Sequence, residues 1–93
     1  MIDLDLILNK TIDFKINGEV LNVKQPSVKV INQFTKMSGD ILEQAKIVKD
    51  ILNNNTNGKT YSDKDINDMP ELLIVAIIKE ISNYLGDMVN EKN

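Results

Sequence analysis

The stretch TIDFKINGEVLNVK, residues 11–24, constrains the fold of this chain more than any other. Two runs of alternating apolar and polar residues flank Asn17-Gly18, the dipeptide that best tolerates the positive φ angles of a two-residue hairpin turn. With those two residues as the loop, Phe14 lies opposite Leu21, and the apolar side chains of both strands share one face of the sheet. The sequence therefore predicts an antiparallel hairpin.

A third strand is predicted before the hairpin. Residues 2–8 also alternate, with Ile2, Leu4, Leu6 and Leu8 at every second position. A sheet of three strands is a more stable unit than an isolated hairpin, so we expect this segment to join the sheet.

Helical patterns begin after the hairpin. Pro26 ends the second strand, and Ser27 is a suitable N-cap for a helix that begins at Val28. Asp40 can cap a second helix, whose apolar residues repeat at helical spacing over 41–52. We expect the polar run NNNTNGK to end it.

The last third of the chain predicts a short helical turn and one long helix. Ser62 and Asp65 have the spacing of a capping box, which predicts a turn over 63–67. Pro70 suits the first turn of a closing helix that should extend to about Leu85. The predicted fold class is α+β in one domain, residues 1–93, with a hairpin region of about 1–25 and a helical region of about 27–90.

Composition excludes several classes of function. The chain has no cysteine and no histidine, which removes thiolate ligands, a cysteine nucleophile and the commonest general base. The net charge is −3 and residues 61–93 carry seven acids against three lysines, so nucleic acid is not an expected partner. No signal peptide is evident, and the apolar run 72–78 is too short to span a bilayer. We expect no enzyme activity, no cofactor, no metal, no membrane contact and a cytoplasmic location.

Two stretches resemble ligand motifs in part. DKDIND, residues 63–68, spaces its side chains like the start of a calcium loop, but it lacks the glycine and the distal glutamate. Gly58-Lys59-Thr60 matches the end of a phosphate-binding loop without the upstream glycine or the preceding strand. A capped helix start and a plain loop are the stronger interpretations.

The closing helix is apolar on more than one side. A seam with 4-3-4-3 spacing comprises Ile74, Ile78, Ile81, Leu85 and Met88. Leu72 and Val75 keep the opposite side apolar over the first two turns, which predicts burial all round there. Either this helix is the centre of the core, or part of its surface meets another chain.

The order of these parts resembles a known family. FKINGEVLNVKQPSV leads from the hairpin into a helix, and TYSDKDINDMPELLIVAIIKEISNYLG joins an acidic lead-in to the closing helix. Over residues 12–86 the chain resembles the small tail assembly chaperones of long-tailed bacteriophages (siphophages) of Gram-positive bacteria. The lysine- and asparagine-rich, arginine-free composition fits an AT-rich host.

The resemblance implies a function. Such proteins coat the tape measure protein and keep it soluble in the cytoplasm of the host while tail tube subunits polymerise around it. They self-associate, and we expect this chain to form a homo-oligomer, to contact the tape measure protein and in addition the tail tube protein, and to be absent from the mature virion. The alternative is a small acidic regulatory module, such as an antitoxin or an anti-repressor.

The candidate contact residues are all apolar. A tape measure protein is mostly long helix, so its chaperone needs an adaptable apolar surface and not a specific pocket. The residues predicted for partner binding or self-association are Phe34, Met37, Leu72, Val75, Ile74, Ile78 and Ile81.

Overall fold

Over residues 1–90 the chain folds into a two-stranded antiparallel sheet and five helices, which confirms the α+β class. The computed structural model describes the backbone of residues 1–90 and the side chains of residues 1–86. In chain order the elements are α1 (Leu4–Leu8), β1 (Thr11–Ile16), β2 (Glu19–Lys24), α2 (Val28–Thr35), α3 (Ile41–Asn53), α4 (Asp63–Asn67) and α5 (Glu71–Asn90).

The hairpin has the predicted loop and register. Asn17 and Gly18 both adopt positive φ angles, 54° and 80°, as a turn of two left-handed residues requires. Phe14 pairs with Leu21, so the inward side chains of the two strands meet on the face that packs on the helices. The alternation and the turn dipeptide were sufficient to fix this element.

The predicted third strand is wrong. Residues 4–8 form the short helix α1, whose N-cap Asp3 accepts a hydrogen bond from the Asp5 amide at 3.0 Å. Register explains why the segment does not join the sheet. With Asn9-Lys10 as a two-residue loop, Leu6 would lie opposite Asp13 on the outward face of the sheet.

The outer edge of β2 is covered instead by the loop after α3. The Lys24 amide donates to the Asn54 carbonyl at 2.7 Å, and Thr56 donates to the Asn22 carbonyl at 2.9 Å. The Asn22 amide donates to the side-chain oxygen of Asn57 at 2.8 Å. This loop therefore takes the place beside β2 that a third strand would occupy.

Side-chain caps fix where α2, α3 and α4 begin. Ser27 and Asp40 accept hydrogen bonds from amides in the first turns of α2 and α3, as predicted. At α4 the Ser62 hydroxyl accepts from the Asp65 amide at 3.1 Å, while the Asp65 carboxylate accepts from the Ser62 amide at 2.9 Å. The stretch that resembles a calcium loop is thus a reciprocal capping box.

The core is almost entirely aliphatic. Its most deeply buried large side chains are those of Leu52, Ile81, Val23 and Val48. Among the residues whose side chains the structure describes, fourteen are buried: Ile12, Leu21, Val23, Val30, Ile47, Val48, Ile51, Leu52, Tyr61, Ile66, Ile74, Ile77, Ile78 and Ile81. Apart from Tyr61, which precedes α4, they come from β1, β2 and helices α2 to α5, so the hairpin and these helices share one core.

Helix α5 is longer than predicted and is buried on one side only. It continues through Gly86 to Asn90 instead of ending near Leu85. Half-buried Tyr84 donates its hydroxyl to the Gln25 side chain at 2.6 Å, and Gln25 donates in turn to the Lys10 carbonyl at 3.2 Å. These two bonds tie α5 to the open end of the hairpin, opposite the turn.

Candidate interaction surface

The seam of α5 belongs to the core of the chain itself. Ile74, Ile78 and Ile81 are 2%, 8% and 0% exposed. Leu85 is half-buried against the same cluster, and the side chain of Met88 lies outside the described residues. In this fold the three isoleucines therefore pack against the chain's own elements, and their role in a contact between subunits stays a prediction.

The opposite side of α5 is exposed. Leu72 is 78% exposed and Val75 is 42% exposed, so the predicted burial all round the first two turns is wrong. Ala76 is exposed as well, and Lys79 follows on the same side. Positions 72, 75 and 76 have the i, i+3, i+4 spacing that presents one continuous apolar strip on a helix. We call these three residues, with Lys79, the outer face of α5.

Phe34 and Met37 lie elsewhere in the fold. Phe34 belongs to α2 and Met37 to the turn that follows it, and both are half-buried against the core. Helix α2 packs on α3, whereas Leu72 and Val75 point away from the core. A combined contact flank of all four residues stays a prediction.

Among residues 1–86, helix α1 is the most exposed apolar segment. None of its residues is buried. Leu4, Leu6, Ile7 and Leu8 are 63%, 72%, 57% and 71% exposed, and Ile2 before them is 80% exposed. Exposed apolar groups this concentrated are uncommon on a soluble chain and indicate a surface that meets another molecule.

A groove of about 270 Å³ lies between β1 and α5. Its apolar walls are Phe14 and Ile16 of β1 and Leu73, Ala76 and Ile77 of α5. Asp13, Lys15 and Glu80 complete its lining. We call it the β1 groove; no residue of β2 lines it.

Ion pairs and hydrogen bonds at the surface serve the fold. Lys49 binds Asp63 at 2.7 Å, and its hydrogen bond holds the pKa of that carboxyl below its ordinary value. Lys59 binds Glu19 at 3.0 Å, and this hydrogen bond raises the pKa of the Lys59 ammonium. Both pairs are exposed to solvent, where ion pairs contribute little to stability. The first pair joins α3 to α4, and the second joins the loop after α3 to the start of β2.

Neither a metal centre nor a membrane span is found in the part of the chain that the structure describes. No three acidic side chains there come together as cation ligands. None of the described helices is long and apolar enough to cross a bilayer. Comparisons with known protein families, with curated proteins and with solved structures found no match.

Sequence reasoning missed two parts of this surface. Ala76 completes the outer face of α5, and its i+4 spacing from Leu72 was a signal that could have included it. The β1 groove could not be found in the same way, because it depends on where α5 lies relative to the hairpin.

Proposed function

We propose that this protein is a phage tail assembly chaperone that binds the tape measure protein through the outer face of α5. The observation that carries the proposal is the exposure of Leu72 and Val75, which lie about one turn apart on the same side of one helix. The resemblance over residues 12–86 supplies the identity of the partner.

The outer face of α5 suits a helical client. Side chains at i, i+3 and i+4 dock an apolar strip against the corresponding strip of another helix. Aliphatic side chains alone make such a contact weakly selective, since no buried polar group demands a specific partner. A long client with many apolar stripes could therefore be covered by many copies of one small protein.

Weak individual contacts are sufficient for this role. Copies bound along one client chain act together, and the overall affinity rises without any new chemistry. The acidic balance of residues 61–93 adds like charge to every bound copy. This charge keeps a coated client soluble while it remains outside the tail tube.

The test is co-expression with the matching tape measure protein. The proposal expects the wild-type protein to keep the tape measure protein soluble in a multi-copy complex. Leu72→Lys with Val75→Lys should abolish this rescue while the chaperone itself stays folded, because both positions are exposed.

The matched control is Ser82→Lys with Asn83→Lys. Both residues are exposed on the same helix and the change in net charge is the same, so rescue should persist. If the Leu72 and Val75 double variant still kept the tape measure protein soluble, the contact would have to lie on another surface. A wild-type protein that neither solubilises nor co-purifies with the tape measure protein would refute the function.

A further inference from the structure

The outer edge of β1 carries backbone groups that can accept another strand. Because Asn17-Gly18 is a two-residue loop, Ile16 and Glu19 form a hydrogen-bonded pair, and pairing then alternates along the strands. The N–H and C=O groups of Thr11, Asp13 and Lys15 therefore point away from β2. None of these groups has a hydrogen-bond partner within the described residues. An edge of this kind is a template for strand addition.

The β1 groove specifies what an added strand must look like. Phe14 of β1 and Leu73, Ala76 and Ile77 of α5 form an apolar floor beside this edge. A strand laid along β1 would direct every second side chain onto this floor and the others to solvent. The occupant must therefore alternate apolar and polar residues over about six positions.

Within the part of the chain whose side chains are described, residues 2–8 are an exposed segment with this pattern. In residues 2–8, Ile2, Leu4, Leu6 and Leu8 alternate with Asp3 and Asp5. These four apolar side chains are between 63% and 80% exposed. Helix α1 buries none of its residues and has only five, well below the length at which an isolated helix is stable in water. Its conversion to a strand would sacrifice no core contact.

We propose that residues 2–8 of one copy add as an antiparallel strand to the β1 edge of a second copy. The favoured register places Asp5 opposite Lys15, which pairs opposite charges, and Leu6 opposite Phe14 on the floor of the groove. The occupant is a second copy, because residues 2–8 cannot reach this register within their own chain. Such a hairpin would leave Lys10 as its only loop residue, and a loop of one residue is too short.

The other registers available within one chain are unfavourable. A two-residue loop turns the leucines to solvent, and a three-residue loop places Asp5 opposite Asp13, where like charges repel. Between two copies the exchange is reciprocal, so two segments fill two edges and the assembly closes as a dimer. The loop that covers β2 over residues 22–24 blocks growth on the other side of each hairpin.

The test uses neighbouring residues that a strand and a helix present differently. In a strand Leu6 faces the groove and Ile7 faces solvent, whereas in a docked helix Ile7 lies on the strip with Leu4 and Leu6 lies opposite. Sedimentation equilibrium should show a wild-type dimer. Leu6→Ser should raise its dissociation constant about tenfold or more, and Ile7→Ser should change it by less than about threefold.

The edge is tested by a second pair of variants. Lys15→Pro removes an amide that points away from β2 and should abolish the dimer, while Lys15→Ala keeps the amide and should retain it. Concentration-dependent protection of the Asp13 and Lys15 amides from hydrogen exchange in the wild-type protein tests the same contact without any substitution.

Four results would each overturn the inference. The first is a wild-type protein that stays monomeric at about millimolar concentration, and the second is an Ile7→Ser effect as large as that of Leu6→Ser. The third is equal dimerisation of the two Lys15 variants, and the fourth is fast exchange of both amides at every concentration. The inference depends on the edge and the segment alone. A failure of the tape measure test would leave it standing.

Discussion

Substitution of Ile78 by aspartate separates a core role of the α5 seam from a contact role. Ile78 is 8% exposed in the single chain, and no polar or charged side chain is buried among the described residues. Loss of a buried isoleucine side chain costs about 2–5 kcal/mol of the free energy of unfolding. A carboxylate without a partner in its place adds roughly several kcal/mol more, whether it stays charged or protonates.

This cost approaches the whole stability of the domain. At about 0.05–0.15 kcal/mol per residue, a chain of 93 residues has a free energy of unfolding of roughly 5–14 kcal/mol. Ile78→Asp should therefore be largely unfolded by circular dichroism at 25 °C. The matched variant Leu72→Asp introduces the same charge at a position that is 78% exposed, and should cost about 0.5 kcal/mol or less.

The contrary results are specific. A folded monomer of Ile78→Asp, from a wild-type protein that self-associates, would show that the seam is a contact between subunits. A folded variant with unchanged mass would contradict both roles. Light scattering measured on the samples used for circular dichroism distinguishes these cases.

The fold makes three further predictions. Gly18→Val should lower the free energy of unfolding by about 1–3 kcal/mol because φ is 80° there, and an unchanged melting temperature would contradict the turn assignment. The Asn53 side chain accepts a hydrogen bond from the Tyr61 amide at 2.7 Å and donates one to the Tyr61 carbonyl at 3.0 Å. Asn53→Ala should therefore lower the free energy of unfolding, measured by urea denaturation, by about 1–3 kcal/mol. A variant as stable as the wild type would show that these bonds do not stabilise the fold. Hydrogen bonds with the Ser62 amide, and then with the Ser62 side chain, hold the pKa of Asp65 below its ordinary value of 3.8. This carboxylate therefore stabilises the fold above that pH, and its contribution is lost as pH falls through the lowered pKa. Urea denaturation between pH 6 and pH 2 should show a smaller acid loss in Asp65→Asn, and an identical loss in both proteins would refute the linkage.

Local chemistry made the hairpin and the helix starts predictable. Asn17 and Gly18 tolerate the positive φ angles of the observed turn at little cost, and the side chains of Ser27, Asp40 and Ser62 reach amides only a few residues away. Such features depend on residues close in sequence. They needed no knowledge of the tertiary arrangement.

Tertiary contacts decided the parts that the sequence did not predict. The alternation in residues 2–8 fits a strand. It does not show which set of side chains would face the core once a loop joined this strand to β1. The NNNTNGK run predicts a loop, but not that Asn54 and Asn57 bond β2. Apolar periodicity in α5 identified the buried seam, while the exposure of Leu72 depended on how few elements surround the helix.

The bond between Tyr84 and Gln25 gives the protein an optical reporter. The chain has no tryptophan and only two tyrosines, so its near-ultraviolet absorbance and its emission come mainly from two rings. Gln25 links the Tyr84 hydroxyl to the Lys10 carbonyl, at the hinge between residues 2–8 and β1. A rearrangement of that hinge would alter the environment of Tyr84 and leave the buried ring of Tyr61 unaffected. With Tyr61→Phe as the background, the fluorescence of one phenol would follow the N-terminal segment in real time.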